Sequence, residues 1–265
     1  MKPRKKLTSR IAYSLTDQVV VKGHDLCQDI LGRVPLGDMA FLMFMDRLPQ
    51  PRESVMFNAL AVALVEHGMT PSAIAARMTL AGAPEAMQAA IAAGLSGLGS
   101  IMVGSMEDAA RMLQEALAKA PADADLDAIA ARIFEERQGR GATVPGLGHR
   151  VHKPLDPRAE RLFEIAREQG YEGRYVGLMR RLGTLAAQRS GKVLPINVTG
   201  AIGAIASEMG IPWAIVRGLG VTGRAVGLVG HIKEELDNPI AREIMIRVID
   251  ETQEEARAAA QKKSG

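Results

Sequence analysis

The amino-acid sequence predicts an all-α protein, and three observations predict it. Of the 265 residues, 47% are hydrophobic but only 3% aromatic. The Ala, Leu and 14 Met that supply the difference favour helix over strand, whose β-branched and aromatic runs are scarce here. From about Asp25 onward, apolar residues recur at helical spacing, and prolines and glycines fall between those runs, where they cost least.

Taken in order, the first apolar segment is PLGDMAFLMFMDRLPQP (35–51), bounded by prolines. The next helix opens at Pro51 in its first turn and is expected to run to Gly68. In MTPSAIAARMTLAGAP (69–84), Thr70 is placed to cap and Pro71 to occupy the first helical position. PEAMQAAIAAGLSGLGSIMVG (84–104) is so rich in Ala and Gly that neighbouring backbones can approach it closely. SMEDAARMLQEALAKA (105–120) is amphipathic, with Ser105 as the expected N-cap and acidic residues in the first turn. PADADLD (121–127) turns the chain into a helix that ends in EERQGRGA (135–142). After a loop, Asp156 and Pro157 open a helix expected to reach Gly170. Further helices cover 173–189, the Gly/Ala stretch INVTGAIGAIASEMG (196–210) and PWAIVRGLGVTGRAVGLVGHIKEEL (212–236). Asp237-Asn238-Pro239 breaks that last one, and a polar helix closes the chain, with no tandem repeat anywhere.

Charge and cysteine content exclude several function classes. The formal net charge is +3, with the basic excess partly in MKPRKK and QKKSG at the two ends. No aromatic residues interleave with the basic ones to stack bases, so no nucleic-acid partner is expected. No apolar core follows the basic start and no charge-free run of 18 apolar residues occurs, so neither a signal peptide nor a membrane span is expected. Cys27 is the single cysteine, which rules out an intrachain disulfide. It reads as a small buried residue in a protein of a reducing, cytoplasmic compartment.

The loop TVPGLGHRVHKPLDPRAERL (143–162) interrupts the helical pattern with three prolines, two glycines, two histidines and several cations. Val144, Pro145, Gly146, Leu147 and Gly148 offer backbone groups with few side chains in the way. His149 follows, placed to donate a hydrogen bond to a carbonyl or alkoxide oxygen. Arg150, Lys153 and Arg158 would suit an anion, and Arg grips carboxylates bidentately. From the loop alone, a solvated basic turn is the stronger reading. His149 and His152 lie three apart, but no third histidine or cysteine cluster stands nearby to complete a zinc set, so no metal is expected. Gly218, Gly220 and Gly223 spell G-x-G-x-x-G inside a helical apolar segment with no strand before it. The expectation there is close helix packing rather than a dinucleotide site.

The segment GLGHRVHKPLDPRAERL resembles the citrate synthase superfamily signature, in which a G-x-G-H-R/A-V loop is followed by D-P-R. Four further segments are similar to that superfamily's elements, in its order: VVVKGHDLCQDI (19–30), VEHGMTPSAIAAR (65–77), LPINVTGAIGAIASEMGIP (194–212) and GRAVGLVGHIKEEL (223–236). In length the chain is closer to the short citryl-CoA lyases and to the lyase module of ATP-citrate lyase than to a typical citrate synthase. The resemblance implies a large helical domain (1–104 and 201–265) with a smaller CoA-binding helical domain (105–200) inserted. It implies a homodimer or higher homo-oligomer that binds a CoA thioester and a small dicarboxylate, with no metal. By position, His149 matches the catalytic histidine at the reacting carbon's oxygen, and Val144 to Gly148 match the loop that holds CoA. His67, Arg158 and Arg224 match groups on the substrate carboxylates. Arg242 is a weaker match to an arginine that crosses to the partner subunit.

Two departures separate the chain from a citrate synthase. Met102 stands where the superfamily has the histidine that polarises the thioester carbonyl, and Thr199 stands where it has the catalytic aspartate. Met donates no hydrogen bond and Thr is no base near neutral pH. Synthase-type condensation is therefore the weakest of three readings. The first is citryl-CoA lyase-like cleavage of a 3-hydroxy acyl-CoA to acetyl-CoA and oxaloacetate. The second is a non-catalytic or regulatory paralogue that binds a CoA ester or dicarboxylate. For the lyase, backbone N–H groups between Gly99 and Gly104 are expected to hold the enolate oxygen, with Glu107 or Asp108 as a displaced acid, although first-turn helix charges explain both acids better.

Overall fold

Residues 4, 7–149, 152–191 and 194–263 are described by the structure, a computed structural model, with side chains up to 254. Its N-terminal part holds a small antiparallel sheet that helical periodicity did not anticipate. Strands β1 (Ala12–Ser14), β2 (Val19–Val21) and β3 (His24–Asp25) pair in that order, with Ala12 opposite Val21 and Val21 opposite His24. The β-branched run of β2 accounts for it: Val20 and Val21 are buried against the body of the protein. A single π-turn over Leu26–Ile30 follows, capped by Asp25, whose Oδ1 accepts the amides of Cys27 and Gln28 at 2.8 and 2.9 Å. That cap turns Cys27 outward, so the cysteine is exposed rather than buried.

Helices carry the rest. They are α1 (Leu36–Met45), α2 (Pro51–Val62), α3 (Pro71–Gly82), α4 (Met87–Ser96), α5 (Gly104–Ala118), α6 (Leu126–Gly139), α7 (Pro157–Glu168), α8 (Arg174–Ser190), α9 (Val198–Glu208), α10 (Trp213–Asp237) and α11 (Ala241–Lys263). Thr70 accepts the amide of Ala73 and Asp156 that of Arg158, so both expected caps are in place, each with its proline in the first turn. α2 ends at Val62, short of Gly68. The Glu66 carboxylate collects the amides of His67 and Gly68 at 2.8 and 2.6 Å and turns the chain out of the helix there. α5 begins two residues earlier than an N-cap at Ser105 implies, which places Ser105 inside the helix rather than at its cap. α10 runs unbroken through Gly218, Gly220 and Gly223, so the strand that a dinucleotide fingerprint requires is not present. No helix among the described residues is long and apolar enough to cross a membrane.

The chain divides into two compact units: residues 1–63 with 105–217, and residues 64–104 with 218–265. The breaks fall at 63/64, at 104/105 and, inside α10, at 217/218. Residues 1–63 sort with the middle of the chain because α2 packs on α7, and residues after 200 do so because α9 packs on α7 and α8. In the first unit, fully buried Phe41, Met56, Phe57, Leu113, Leu178, Leu182 and Ile202 form the core. Phe41 and Phe57 meet edge to face at 5.3 Å. Gly203 lets α9 approach α5, since a Cβ there would lie 2.8 Å from the Met106 carbonyl. In the second unit, Leu80, Ala90 and Ile232 join α3, α4 and α10, and α11 packs on α3.

Candidate active site

The loop before His149 is fastened to the segment that opens α9. The Asn197 amide donates to the Gly146 carbonyl at 2.9 Å, the Gly148 amide to the Pro195 carbonyl at 2.7 Å, and Leu147 bridges Ile196. Gly146 and Gly148 have φ of +87° and +80°, which side-chain-bearing residues rarely adopt. A Cβ on Gly146 would lie 2.5 Å from Cα of Gly200, so the two backbones are in direct contact. The loop was expected to present free backbone groups. Instead the Gly146 carbonyl and both polar groups of Gly148 are engaged internally, while Val144 is buried and Pro145 partly so. Beside the loop lies a cavity of about 350 Å³ lined by Phe134, Arg137, Thr143, Val144, Leu147 and Leu194.

His149 and Arg158 are brought together by Asp156. This carboxylate is fully buried, caps α7 and accepts four hydrogen bonds. They come from the Arg158 amide and Nε (both 3.1 Å), from Arg158 Nη2 (2.9 Å) and from the Val198 amide (3.0 Å). Burial pushes the Asp156 carboxyl up. The hydrogen bonds and charge of Arg158, with the Val198 amide, outweigh that and hold its pKa below the usual value. The guanidinium, gripped on two sides, reaches Nε2 of His149 with Nη2 at 3.3 Å.

The His149 ring is oriented by a backbone donor: the His152 amide reaches its Nδ1 at 2.9 Å, and the two imidazoles stack with centroids 4.4 Å apart. A neutral imidazole has one ring lone pair, and the amide takes it at Nδ1, which assigns the hydrogen to Nε2. The 3.3 Å contact with Arg158 therefore brings two donors together, Nε2–H and Nη2–H. Such a pair is arranged to hold one oxygen that carries negative charge. Arg150 lies outside the described residues, and Lys153 is exposed.

Thr199 sits in the first turn of α9. Asn197 caps that helix, its Oδ1 accepting the amides of Thr199 (3.0 Å) and Gly200 (3.1 Å) and the Thr199 hydroxyl (2.6 Å). Its Nδ2 donates to the Gly148 carbonyl at 2.7 Å. Asn197 was not singled out from the sequence, although its side chain ties α9 to the histidine loop. Ser105 Oγ donates to Thr199 Oγ1 at 3.0 Å. Glu107 pairs with Arg217 at 2.7 Å and Asp108 with Arg111 at 2.9 Å, so both acids act as surface ion-pair partners. The amides of Val103 and Gly104 both donate to the Gly99 carbonyl, at 3.2 and 3.1 Å, which withdraws them from the enolate role expected of that turn. Met102, in the same turn, is 39% exposed.

The second unit carries His67, Arg224 and Arg242. His67 is exposed at the end of the turn held by Glu66. Arg224 is mostly buried and pairs with Glu66 at 3.8 Å, while His231 Nε2 lies 3.0 Å from the same carboxylate. Burial pushes the Glu66 carboxyl up, but the His67 amide and His231 bring it below its usual pKa. Behind His231, fully buried Arg77 contacts its Nδ1 through Nε at 3.2 Å and pairs with Glu235 at 2.9 Å and with Glu234. Gly227 admits the Val65 carbonyl to this network's edge, since a Cβ there would overlap it. Arg242 is exposed in the first turn of α11. Among the described residues no group of three or more His, Cys, Asp or Glu is placed to hold a metal ion.

The family of the citrate synthase C-terminal domain matches residues 20–247. The structure of citryl-CoA lyase from Hydrogenobacter thermophilus superposes with a TM-score of 0.79 at 34% identity, covering 88% of each chain. ATP citrate lyase of Methanosaeta concilii, a D541A mutant in complex with (3S)-citryl-CoA, shares the fold with a TM-score of 0.72. It is 19% identical, covering 89% of this chain and 40% of that one. Among curated relatives, a probable ATP-citrate synthase of Dictyostelium discoideum is 21% identical over 88% of this chain and 39% of its own length. The putative citrate synthase 2 of Mycobacterium tuberculosis (strain ATCC 25618 / H37Rv) is 28% identical over 71% and 49% respectively. The chain thus spans less than half the length of these curated relatives. With its helical frame, its G-L-G-H loop seated on α9 and a match that runs over most of its length, this chain belongs to the citrate synthase family.

Proposed function

We propose that the protein is a citryl-CoA lyase-type enzyme that cleaves a 3-hydroxy acyl-CoA, citryl-CoA, to acetyl-CoA and oxaloacetate. In that cleavage the bond between the carbinol carbon and the carbon α to the thioester breaks. The hydroxyl loses its proton as it becomes the keto group, the electron pair passes to the thioester as an enolate, and the enolate carbon takes up a proton. The observation that carries this reading is the convergence of His149 Nε2–H and Arg158 Nη2–H, 3.3 Å apart. Two fixed donors there stabilise the negative charge that develops on the carbinol oxygen, and one such donor is worth about 10²–10³-fold. The likeness to a lyase of matching length, at 34% identity over 88% of both chains, supports the lyase over the synthase.

In this reading CoA lies along Val144, Pro145, Gly146, Leu147 and Gly148 and enters the adjoining cavity, with Arg137 at its rim for a phosphate. Arg158 holds a carboxylate of the substrate, and His67 and Arg224 are carried over as carboxylate-binding residues from the resemblance alone. The protein works as a homodimer, a reading supported by exposed Val226, Val229, Met245 and Val248 in α10 and α11 and by Arg242 as a residue reaching the partner. It resides in the cytoplasm, where its exposed Cys27 thiol stays reduced, and it needs no metal.

Purified protein mixed with citryl-CoA is expected to release acetyl-CoA and oxaloacetate, read by coupling oxaloacetate to NADH oxidation, and His149→Ala is expected to abolish release. Binding of CoA by calorimetry with no turnover of citryl-, malyl- or citramalyl-CoA would instead establish the non-catalytic paralogue.

A further inference from the structure

We propose that Ser105 is a positioning residue for His149, acting through the hydroxyl of Thr199 and the side-chain amide of Asn197. The inference deepens the lyase reading and, for its kinetic arm, rests on it.

The direction of every bond in this chain is forced. Asn197 Oδ1 accepts the backbone amides of Thr199 and Gly200, which fixes it as the oxygen of the carboxamide. An amide oxygen only accepts, so the 2.6 Å contact uses the hydrogen of the Thr199 hydroxyl. With that hydrogen engaged, Thr199 Oγ1 meets Ser105 as an acceptor, and Ser105 donates at 3.0 Å. The same assignment leaves Asn197 Nδ2 to donate to the Gly148 carbonyl at 2.7 Å. The sequence Ser105, Thr199, Asn197, Gly148 is therefore a one-way series of donors, in which each bond polarises and strengthens the next.

What lies at its end gives the series its role. The Gly148 carbonyl belongs to the peptide unit whose nitrogen is that of His149. Gly148 has φ +80°, and an added Cβ would find its nearest neighbour, a Leu194 methyl, only at 3.8 Å, so packing does little to fix that peptide plane. Hydrogen bonds act instead: the Gly148 amide ties the preceding peptide unit to Pro195, and Asn197 holds this one through the Gly148 carbonyl. If Asn197 is loosened, the plane can rotate and carry the His149 ring away from Arg158. Reacting groups tolerate little such motion, since a displacement near 1 Å costs on the order of 10²-fold. Ser105 serves no helix cap, and its hydroxyl goes to this series instead. Thr199 is thereby a link and not an acid, because its proton is directed to Asn197.

The test compares wild type with Ser105→Ala, Ser105→Thr and Thr199→Val. The readouts are kcat and KM for citryl-CoA cleavage, the melting temperature, and ¹⁵N shifts of histidine-labelled protein, with the His149 signal identified by its loss in His149→Gln. Loss of one hydrogen bond in the series is expected to lower kcat roughly five- to tenfold in Ser105→Ala, with KM and melting temperature little changed. Ser105→Thr, which keeps the hydroxyl, is expected to restore the rate. The His149 ring is expected to show a single Nε2–H tautomer in wild type and a mixture in Ser105→Ala and Thr199→Val. An unchanged imidazole spectrum in Ser105→Ala, or a threonine variant no better than the alanine one, overturns the proposal. If wild type cleaves no citryl-CoA, the lyase reading falls, while the imidazole spectra still decide the role of Ser105.

Discussion

Replacing Asp156 with Asn tests the arrangement at its anchor. The carboxylate accepts two donors on each oxygen: the amide and Nε of Arg158 on Oδ1, and Arg158 Nη2 with the Val198 amide on Oδ2. A carboxamide is isosteric but carries a donor in place of one oxygen, so in either orientation two of the four contacts become donor against donor. One buried donor left without an acceptor costs about 1–3 kcal/mol. Removing the charge also leaves Arg158, whose side chain is 25% exposed, without its counter-ion. That exposure puts the added cost below the 3–5 kcal/mol typical of a broken buried pair. Two such donors cost about 2–6 kcal/mol before the lost counter-ion is counted, and at about 2–4 °C per kcal/mol for a chain of this size the melting temperature should fall by at least roughly 4 °C. Because the native carboxyl pKa is depressed, its stabilisation is complete above the unfolded value of about 4 and is lost as pH falls through the native one. The gap between wild type and Asp156→Asn in calorimetric melts should therefore be full at pH 7 and close progressively below about pH 4. A fall of less than 2 °C at pH 7, or a gap that widens in acid, would refute this account of the anchor.

Three other outcomes follow from the same geometry. Arg158→Lys keeps a charge but cannot grip both Asp156 oxygens and still reach His149, so kcat for citryl-CoA cleavage should fall about 10²-fold, and an unaltered kcat would remove Arg158 from the chemistry. Gly200→Ala places a methyl 2.4 Å from the Gly146 carbonyl. It should cost about 1–3 kcal/mol in stability and weaken CoA binding by calorimetry, and retention of both would mean the loop is free to shift. Thr199→Asp has no hydrogen to offer Asn197 Oδ1, so its carboxylate should turn to the Ser105 hydroxyl and become available as a base. Deuterium exchange into the methyl group of acetyl-CoA, followed by mass spectrometry in D2O, should then rise above wild type, and no rise would speak against position 199 as the place of the family's aspartate.

Where local chemistry decides structure, the residues were legible. Thr70-Pro71 and Asp156-Pro157 each join a capping side chain to a proline that prefers the first turn, and α3 and α7 begin there. Long-range partners were not legible. Ser105 has every local mark of an N-cap, yet its hydroxyl bonds Thr199, 94 positions away. α2 stops short because the Glu66 carboxylate competes for the amides of His67 and Gly68, which periodicity does not register. Val19-Val20-Val21 was a strand signal three residues long, too brief to stand out against the helical pattern. At the candidate site, His149 and Arg158 were singled out from the loop and the resemblance together, and their side chains meet. That the loop's polar backbone is already engaged by 195–197 follows only from tertiary pairing, and so does the part played by Asn197.

The contact of Gly146 with Gly200 bears on any attempt to redesign this loop. Each residue occupies the volume that a methyl on the other would need, so enlarging one cannot be relieved by trimming its neighbour, which is already minimal. The pair forms a dead end for mutational exploration. If CoA lies in the adjoining cavity as proposed, variation in what binds enters from its wall, at Thr143 or Leu194, where side chains still have something to exchange.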